Sequence, residues 1–406
     1  MRRAVALLAI VAATAACGSG KKERTTLVIA VDAPFSKTPY VGETIEHGVA
    51  LGVSDVNASG GVTAGNKVYR LRVVHFDNAL SPRKAVDNTR RALRDGALAI
   101  VTDGTGVDAT WQLAEDDHVP ICIVYQGGSD LVDAQRRPNV FRIAPTDRGI
   151  AFRLAEYIVP KGLKAALLTD DSGYGEQGRR ALASAFATIP RAVKTRITLP
   201  TSASDLAPQV LRAKRSGATA LVVWAQAPTL AKTVEAARTF GWNVPVFTTP
   251  SGEDPFVRQQ LADHPAWVDG LTFAAGRMTA ELGPGPWNAF QARYEQAYGA
   301  DYVGVRTRAG RRIVQPPDYA MYPYDFVNVL AAALRRSGGN RGAKLIDALN
   351  QVSTRGANGD ERGFNERNHD GVVDDDVYFA RFRDMTFRPV RDDPLSSTLP
   401  AIPQTR

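Results

Sequence analysis

Short apolar runs alternate along the chain with longer amphipathic stretches. The runs have four to eight residues, are rich in valine, isoleucine, leucine and alanine, and end at turn residues or at the start of an amphipathic stretch. This pattern is typical of strands that are buried on both faces. It predicts strands at 27–31, 69–76, 97–102, 121–125, 165–169, 220–224 and 246–249.

The intervening stretches place apolar residues three and four positions apart, which is the spacing of one helix face. Ser81 and Pro82 provide an N-cap and a first-turn proline for one of these helices, and Gly96 ends it. Helices are predicted at 43–57, 82–94, 107–117, 150–158, 177–186, 206–215, 229–240, 287–297, 324–335 and 341–351. Because strands and helices alternate, the fold class is α/β with parallel sheets covered on both faces.

The length of 406 residues favours two domains, since one hydrophobic core serves about 100–200 residues. We predict two doubly wound lobes joined by a hinge of several crossovers. The N-terminal lobe comprises 26–143 and 276–365, and the C-terminal lobe comprises 144–275 and 366–390, with a tail at 391–406. Ligands of open α/β sheets bind beyond the carboxyl ends of the strands, so the loops after the strands are the candidate site.

The first residues have the pattern of an export signal. Arg2 and Arg3 precede an uncharged, mostly apolar run over 4–16, which is too short to span a bilayer of about 30 Å. Small residues then lead to Cys17, and a polar stretch follows, as in a bacterial lipobox. We therefore expect a signal peptide over 1–17, a lipid on Cys17, a linker over 18–25, and an exported protein anchored to the outer face of the membrane. An ordinary signal peptide without lipidation is the alternative.

Composition and charge exclude several other partners and cofactors. The formal net charge is +8, and roughly +6 without Arg2 and Arg3, a mild excess that predicts solubility more than any partner. The arginine cluster over 306–312 lacks interleaved aromatic residues, so we expect a solvated loop and no nucleic-acid binding. Cys122, in an apolar run, is predicted to be a buried thiol. No zinc motif occurs, and the calcium-like stretch 366–371 lacks a glutamate at the twelfth position, so it predicts a turn and no metal.

Catalytic motifs are weak. The stretch 103–109 has a G-x-G-x-x-A pattern between a strand and a helix, but Tyr125 and Gln126 stand where a dinucleotide site needs an acid. A Rossmann-type oxidoreductase is thus a remote alternative, and no G-x-S-x-G or phosphate-loop motif occurs. We predict a non-enzymatic binding protein without a cofactor. The small residues of 103–109 still let backbone N–H groups approach an anion such as a carboxylate.

Several motifs, in their order and spacing, resemble the type I periplasmic solute-binding proteins of the leucine/isoleucine/valine-binding group, which serve ABC transporters. The resemblance covers nearly all of the mature chain to about residue 390. The motifs are Gly42…Gly48 followed by 55–62, Asp77…Ser81-Pro82…Ala85, 141–147 and 170–178. The resemblance implies a monomeric receptor that closes on a small polar solute, such as an amino acid, an amide or a small carboxylate, and delivers it to permease subunits. A ligand sensor that reports to a signalling partner is the alternative.

The resemblance also implies which residues line the cleft. Thr105 corresponds to a hydroxyl donor to a ligand carboxylate. The other implied ligand-binding residues are Tyr40, Gln126, Gly127, Tyr174, Gln226, Ser251 and Tyr319.

One departure from the family pattern bears on the ligand. Where amino-acid binders often place an acid for the ammonium group, this chain has Ser251, followed by Glu253 and Asp254. A buried ammonium without a partner is costly. We therefore predict weak or no binding of leucine, isoleucine and valine unless Glu253 turns inward, and a preference for a neutral amide, a polyol or a simple carboxylate.

Overall fold

Two mainly parallel sheets, covered by helices, form the frame of the protein. The computed structural model describes residues 23–276, 286–299, 308–310, 317–373 and 377–393. The predicted signal peptide with Cys17 lies outside the described residues, as do Arg306, Arg311 and Arg312. The predicted linker 18–25 ends inside the first strand, which begins at Glu23.

The first sheet has six strands in the order β2-β3-β1-β4-β5-β6, and all neighbouring pairs except β2 and β3 are parallel. The strands are β1 Glu23–Ala33, β2 Val62–Ala64, β3 Lys67–Asp77, β4 Ala97–Thr102, β5 Ile121–Ile123 and β6 Val140–Arg142. Three helices connect them: α1 Pro39–Ala58, α2 Pro82–Arg94 and α3 Val107–Asp116. Cys122 is a buried free thiol on β5, as predicted.

The second sheet begins after one crossover and has a parallel centre. Its first five strands are β7 Ala165–Asp170, β8 Val193–Leu199, β9 Ala220–Trp224, β10 Val246–Thr248 and β11 Thr272–Ala275. The helices that precede, connect and follow them are α4 Asp147–Ile158, α5 Gly173–Ala185, α6 Ala207–Arg215, α7 Ala227–Thr239 and α8 Pro255–Gln260. The α/β class and the two-lobe architecture predicted from the sequence are confirmed.

The chain then returns to the first lobe and crosses once more to the second. The returning elements are α9 Pro286–Tyr298, α10 Met321–Arg336, α11 Ala343–Leu349 and the hairpin of β12 Ser353–Arg355 and β13 Glu361–Gly363. Residues of all three helices belong to the hydrophobic core of the first sheet. The antiparallel pair β14 Tyr378–Arg383 and β15 Thr386–Pro389 completes the second sheet, in the order β15-β14-β11-β10-β9-β7-β8.

Two segments contact lobes to which the sequence did not assign them. Residues 366–372, expected in the second lobe, pack against the first: Arg142 Nε lies 2.6 Å from Asp370 Oδ1, and Val372 belongs to the first core. The start of the expected tail 391–406 is held by the second lobe, because Arg153 Nη2 donates to Asp393 Oδ2 at 2.7 Å. Both contacts join residues more than 200 positions apart, which local sequence patterns do not report. Residues 394–406 lie outside the described residues.

Helix α1 packs closely on α10, which ties the returning segment to the first sheet. A Cβ atom at Gly48 would lie 2.4 Å from the carbonyl oxygen of Ala320 and 2.5 Å from Cγ of Pro323. Only glycine lets the two backbones approach to this distance. In the described part of the chain, no helix has both the length and the apolar character needed to cross a membrane.

Replacement of Gly48 by alanine is therefore expected to lower the free energy of unfolding by about 1–3 kcal/mol, since the added methyl group forces α1 and α10 apart. Urea denaturation followed by circular dichroism measures this. Gly173→Ala is the matched control, because a Cβ there meets nothing within 4 Å. Equal stability of the two variants would contradict the close packing.

Candidate functional site

The carboxyl ends of the parallel strands of both sheets converge on the space between the lobes. The loop after β5 meets the crossover to the second lobe, where the N–H of Asp147 donates to the carbonyl oxygen of Gly127 at 2.7 Å. The loop after β10 meets the returning segment, where the N–H of Asp318 donates to Glu253 Oε1 at 2.9 Å. The space between these two contacts is a cleft with one wall from each lobe.

Asp103, which follows β4, is the centre of a hydrogen-bond network in the wall of the first lobe. Thr105 Oγ1 donates to Asp103 Oδ2 at 2.6 Å, and Gln126 Nε2 donates to the same oxygen at 3.2 Å. Asn78 Nδ2 donates to Asp103 Oδ1 at 2.8 Å. The hydroxyl of Thr105, expected to serve a ligand carboxylate, is thus engaged by a carboxylate of the protein itself.

Burial raises the pKa of Asp103, against the effect of the donors from Thr105, Asn78 and Gln126. Behind it, Asp32 accepts from Asn88 Nδ2 at 2.8 Å, and burial raises the pKa of Asp32 to about 8. Two buried carboxyl groups within electrostatic reach of each other disfavour simultaneous ionisation. At neutral pH Asp32 therefore holds a proton, and the side-chain donors of Thr105, Gln126 and Asn78 are engaged by Asp103.

Aromatic rings extend this wall towards the hinge. The ring of Tyr319 meets that of Tyr125 edge-on at 5.1 Å between centroids and that of Tyr40 at 6.0 Å. Tyr125 and Tyr40 are half-buried, whereas Tyr319 is buried. Burial raises the pKa of Tyr125, and the carboxylates of Asp254, Glu253, Asp103 and Asp318 raise it further.

In the wall of the second lobe, Tyr174 in the first turn of α5 is tied to the loop after β10. Its hydroxyl donates to Thr249 Oγ1 at 2.6 Å, and Thr249 Oγ1 lies 2.9 Å from Ser251 Oγ. The ring of Trp224 lies beneath Tyr174 at 6.0 Å and is fully buried. Burial raises the pKa of the Tyr174 hydroxyl, and the electrostatic effects of Tyr125 and Asp147 raise it further. Tyr174 and Ser251 therefore belong to one network, and Trp224 supports it from the core.

Gln226 and Gly127 fix the conformation of their loops through backbone contacts. The N–H of Gln226 donates to Asp170 Oδ2 at 2.8 Å, which joins the ends of β7 and β9. A Cβ at Gly127 would lie 2.5 Å from the nitrogen of Asp147 and 2.6 Å from its Oδ1. Gly127 therefore allows the crossover to approach the first lobe.

Glu253 and Asp254 take different positions at the cleft. Glu253 is fully buried, and no hydrogen-bond partner of its Oε2 occurs among the described residues. Asp254 is half-buried, and its Oδ1 accepts from the N–H of Phe256 at 2.8 Å, which caps α8. Burial raises the pKa of Asp254 to about 6. The carboxyl groups of both acids are thus used within the protein, Glu253 by the N–H of Asp318 and Asp254 by the cap of α8.

A cavity of about 210 Å³ lies between the lobes beside this network. It is lined by Gly128 of the first lobe and by Asp147, Gln177 and Arg180 of the second. Gln177 lies one helical turn after Tyr174, so the cavity adjoins the cleft wall. Within the described residues, neither Asp147 Oδ2 nor Gln177 Oε1 has a hydrogen-bond partner.

The structure thus brings two pairs of predicted residues together. Thr105 and Gln126 are joined through Asp103, and Tyr174 and Ser251 are joined through Thr249. Sequence reasoning did not single out Asp103, Thr249 or Asp147 as site residues. Asp103 and Thr249 follow buried strands directly, which is the position that could have indicated them. In the described part of the chain, no group of three or more acidic, histidine or cysteine side chains could hold a metal ion. Within the stretch 366–371, Glu366 and Arg367 form a turn, and Asp370 pairs with Arg142 of β6.

Comparison with known proteins decides the family. A family model described as periplasmic binding protein matches residues 28–386. The chain belongs to this family. Members of the family are binding proteins, and the family implies a location outside the cytoplasm. No curated protein matches the sequence significantly.

Solved structures show the same fold. A type 1 periplasmic binding protein of Bordetella pertussis has 21% identity and a TM-score of 0.77, with 90% of this chain and all of that chain covered. The branched-chain amino acid transporter substrate-binding protein of Streptococcus pneumoniae, in complex with isoleucine, has 19% identity, a TM-score of 0.73 and coverages of 90% and 99%. An ABC transporter solute-binding protein of Rhodopseudomonas palustris, in complex with 3,4-dihydroxybenzoic acid, has 18% identity and a TM-score of 0.69. The match covers 91% of this chain and 99% of that chain. The family and fold predicted from the sequence are confirmed.

The buried acids predict how stability depends on pH. Burial raises the pKa of Asp147 to about 7, although Arg142 and the N–H of Gly127 lower it. The folded protein therefore holds a proton on Asp147 at pH values where the unfolded chain has lost it, and this contribution to stability is lost as the pH rises through 7. Burial lowers the pKa values of His47 and His369. These two histidines therefore reduce the stability of the folded protein as the pH falls, but only below about pH 6.5.

Thermal unfolding is thus expected at lower temperature at about pH 8 than at about pH 6.5. Asp147→Asn should flatten this dependence by up to about 1.4 kcal/mol per pH unit, because it removes the titrating group and keeps an acceptor for Gly127. Differential scanning calorimetry across this range measures it. An unchanged slope in the variant, or the same flattening in the exposed control Asp263→Asn, would refute the role of Asp147.

Proposed function

We propose that this protein is the exported, lipid-anchored substrate-binding protein of an ABC-type importer. It captures a small polar solute in the cleft between its lobes and presents it, as a monomer, to the permease subunits. The observation that carries this proposal is the family match over residues 28–386, together with a cleft whose two walls come from different sheets. The ligands named for the similar structures, isoleucine and 3,4-dihydroxybenzoic acid, set the size of solute to be expected.

Capture would depend on closure of the lobes about the crossovers. The lobes are joined by the backbone hydrogen bond from Asp147 to Gly127 and by the bond from the N–H of Asp318 to the side chain of Glu253. Rotation about a few residues near these contacts would close the cleft. A ligand that touches Thr105 and Gln126 on one wall and Tyr174 and Ser251 on the other would bind the closed form better than the open form. Its differential affinity for the two forms would then shift the equilibrium towards closure.

Anchoring is tested by Cys17→Ser. Because Cys17 is the cysteine at the predicted signal-peptide boundary, its replacement is expected to move the protein from the membrane fraction to the soluble fraction. Fractionation of cells that express each form, followed by immunoblotting, measures this. Cys122→Ser is the matched control and should leave the partition unchanged. Equal partition of Cys17→Ser and the parent would show that the lipobox assignment is wrong.

Ligand capture is tested by Tyr174→Ala. The variant loses a ring at the cleft and the hydroxyl that is bonded to Thr249, so we expect binding of the cognate solute to weaken by about ten- to a hundredfold. A thermal-shift screen over amino acids, amides, amines and small carboxylates identifies the solute, and calorimetry measures its affinity. Phe240→Ala removes an exposed ring, 37% accessible, and serves as the control. Equal affinities of Tyr174→Ala and the parent would remove Tyr174 from the site.

A further inference from the structure

A cavity of about 400 Å³ lies on the antiparallel pair β14 and β15 of the second sheet, and we call it the β14–β15 cavity. It is lined by Asp269 and Gly270, which precede β11, and by residues of both strands of the pair. Arg381 of β14 lies opposite Thr272, the first residue of β11. The cleft lies at the carboxyl ends of the parallel strands, whereas this cavity lies at the amino end of β11. It is therefore separate from the candidate ligand site.

Three arginines lie on one face of this pair of strands. Arg381 and Arg388 stand directly opposite each other. Arg383 follows Arg381 by two residues, which places it on the same face. Phe382 and Phe387, on the other face, pack in the hydrophobic core of the second lobe. Like charges directly opposite each other destabilise an antiparallel pair. The packing of the core therefore does not account for the arginines of the outer face.

Protection of the sheet edge accounts for only one of these arginines. Among the described strands of the second sheet, β15 is an edge strand, and a charge such as that of Arg388 discourages pairing with another chain. Pro389 has the same effect, because it offers no N–H group. In contrast, β14 is paired with β11 on one side and with β15 on the other. Arg381 and Arg383 therefore have no edge to protect.

The acidic groups around the cavity have basic partners elsewhere. Asp269 pairs with Arg308 and accepts from the N–H of Asp384 at 2.8 Å. Asp384 Oδ1 accepts in turn from the N–H of Arg308 at 2.8 Å. Asp392 Oδ2 lies 2.7 Å from Lys161 Nζ. These carboxylates therefore do not neutralise the arginines of the β14–β15 cavity.

Unpaired positive charge is concentrated at the cavity. Arg383 and Arg388 are exposed, and Arg391, which also lines the cavity, is half-buried. In the part of the chain that the structure describes, the guanidinium groups of these three arginines make no ion pair and no hydrogen bond. The adjoining cavity of about 350 Å³ differs, because Lys161 there pairs with Asp392.

Arg381 is held in place mainly by neutral groups. Its Nε donates to Thr272 Oγ1 at 3.0 Å, and its Nη2 donates to the hydroxyl of Tyr157 at 2.6 Å. Asp392 Oδ1 is farther away, at 3.9 Å from Nη2, and the side chain of Arg381 is 41% exposed. An arginine that is already oriented loses little conformational freedom when it binds an anion.

We propose that the β14–β15 cavity is a second binding site, which takes a multiply charged oxyanion of the phosphate type. The anion would lie over the opposed pair Arg381 and Arg388, with Arg383 and Arg391 beside it, and would offset the repulsion between the two strands. Guanidinium groups match the oxygens of a phosphate group in bidentate geometry and supply charge as well as directed donors. A soluble phosphate compound and a lipid headgroup share this chemistry. The site does not depend on the function proposed for the cleft.

The test measures the binding of pyrophosphate to the mature chain without lipid, by calorimetry and by thermal shift at constant ionic strength. We expect saturable binding with a dissociation constant below about 1 mM, and a rise in melting temperature. The double variant Arg383→Gln and Arg388→Gln is expected to weaken binding by at least about tenfold, because it removes two charge-assisted donors. Circular dichroism shows whether this variant is folded. Equal affinities of the folded variant and the parent would overturn the site.

Two controls locate the anion. The double variant Arg212→Gln and Arg215→Gln removes two exposed arginines from α6 of the same lobe, outside the cavity, and should leave binding unchanged. An equal loss in this variant would show that binding follows net charge and would overturn the proposal. Tyr174→Ala should also leave pyrophosphate binding unchanged. A loss there would place the anion in the cleft and overturn the proposal as well.

Vesicles distinguish the two sources of phosphate. Cosedimentation is measured with vesicles of phosphatidylglycerol and, as the neutral control, of phosphatidylcholine. Pyrophosphate binding without vesicle binding would support the site for a soluble ligand. Binding to phosphatidylglycerol vesicles alone, lost with Arg383→Gln and Arg388→Gln, would support it for a lipid headgroup, and binding of both would support it for either source. Binding of neither, up to about 10 mM pyrophosphate, would overturn the proposal.

Discussion

The loops that form the cleft depend on one interaction, a buried carboxylate at a strand end that is bound by neutral donors of its own and of neighbouring loops. Asp103 does this after β4, with Thr105, Gln126 and Asn78 as donors. Asp170 does it at the end of β7, where it accepts from Ser172 and from the N–H of Gln226. A buried carboxylate is costly unless such donors surround it, so each one orders the loops around it. The same bonds hold loops that follow different strands together at one edge of each sheet.

Two hydrogen bonds join the lobes beside these loops. The N–H of Asp147 donates to the carbonyl oxygen of Gly127, and the N–H of Asp318 donates to Glu253 Oε1. Because both bonds are made by residues next to the cleft loops, a change in the angle between the lobes would change the distance between the two walls. A ligand that contacts both walls would then shift the equilibrium between open and closed forms by its differential affinity for them.

Most of the fold could be predicted from the sequence, because strands buried on both faces are continuous apolar runs and the helices between them have a helical period. Two of the strands that were missed, β6 and β8, do not have this pattern. In β8 buried residues stand beside exposed Lys194 and Arg196, as at the edge of a sheet, and β6 has only three residues and includes Arg142. The lobe to which 366–372 belongs depends on the pair Arg142–Asp370, which are 228 residues apart. Such contacts arise from packing and leave no local signal.

For the candidate site, the sequence indicated which loops follow the strands but not how the polar groups of these loops are paired. Parallel strands place their following loops at one edge, so Thr105, Gln126, Tyr174 and Ser251 could be assigned to the cleft region before the structure was known. A sequence shows which donors and acceptors a loop contains, whereas the structure shows which of them are already paired. Thr105 has the hydroxyl that a ligand carboxylate needs, yet this hydroxyl donates a hydrogen bond to Asp103 Oδ2, two residues earlier, with 2.6 Å between the oxygens. Residue types alone therefore do not show which groups of a loop are available to a ligand, because that depends on the pairing within the loop.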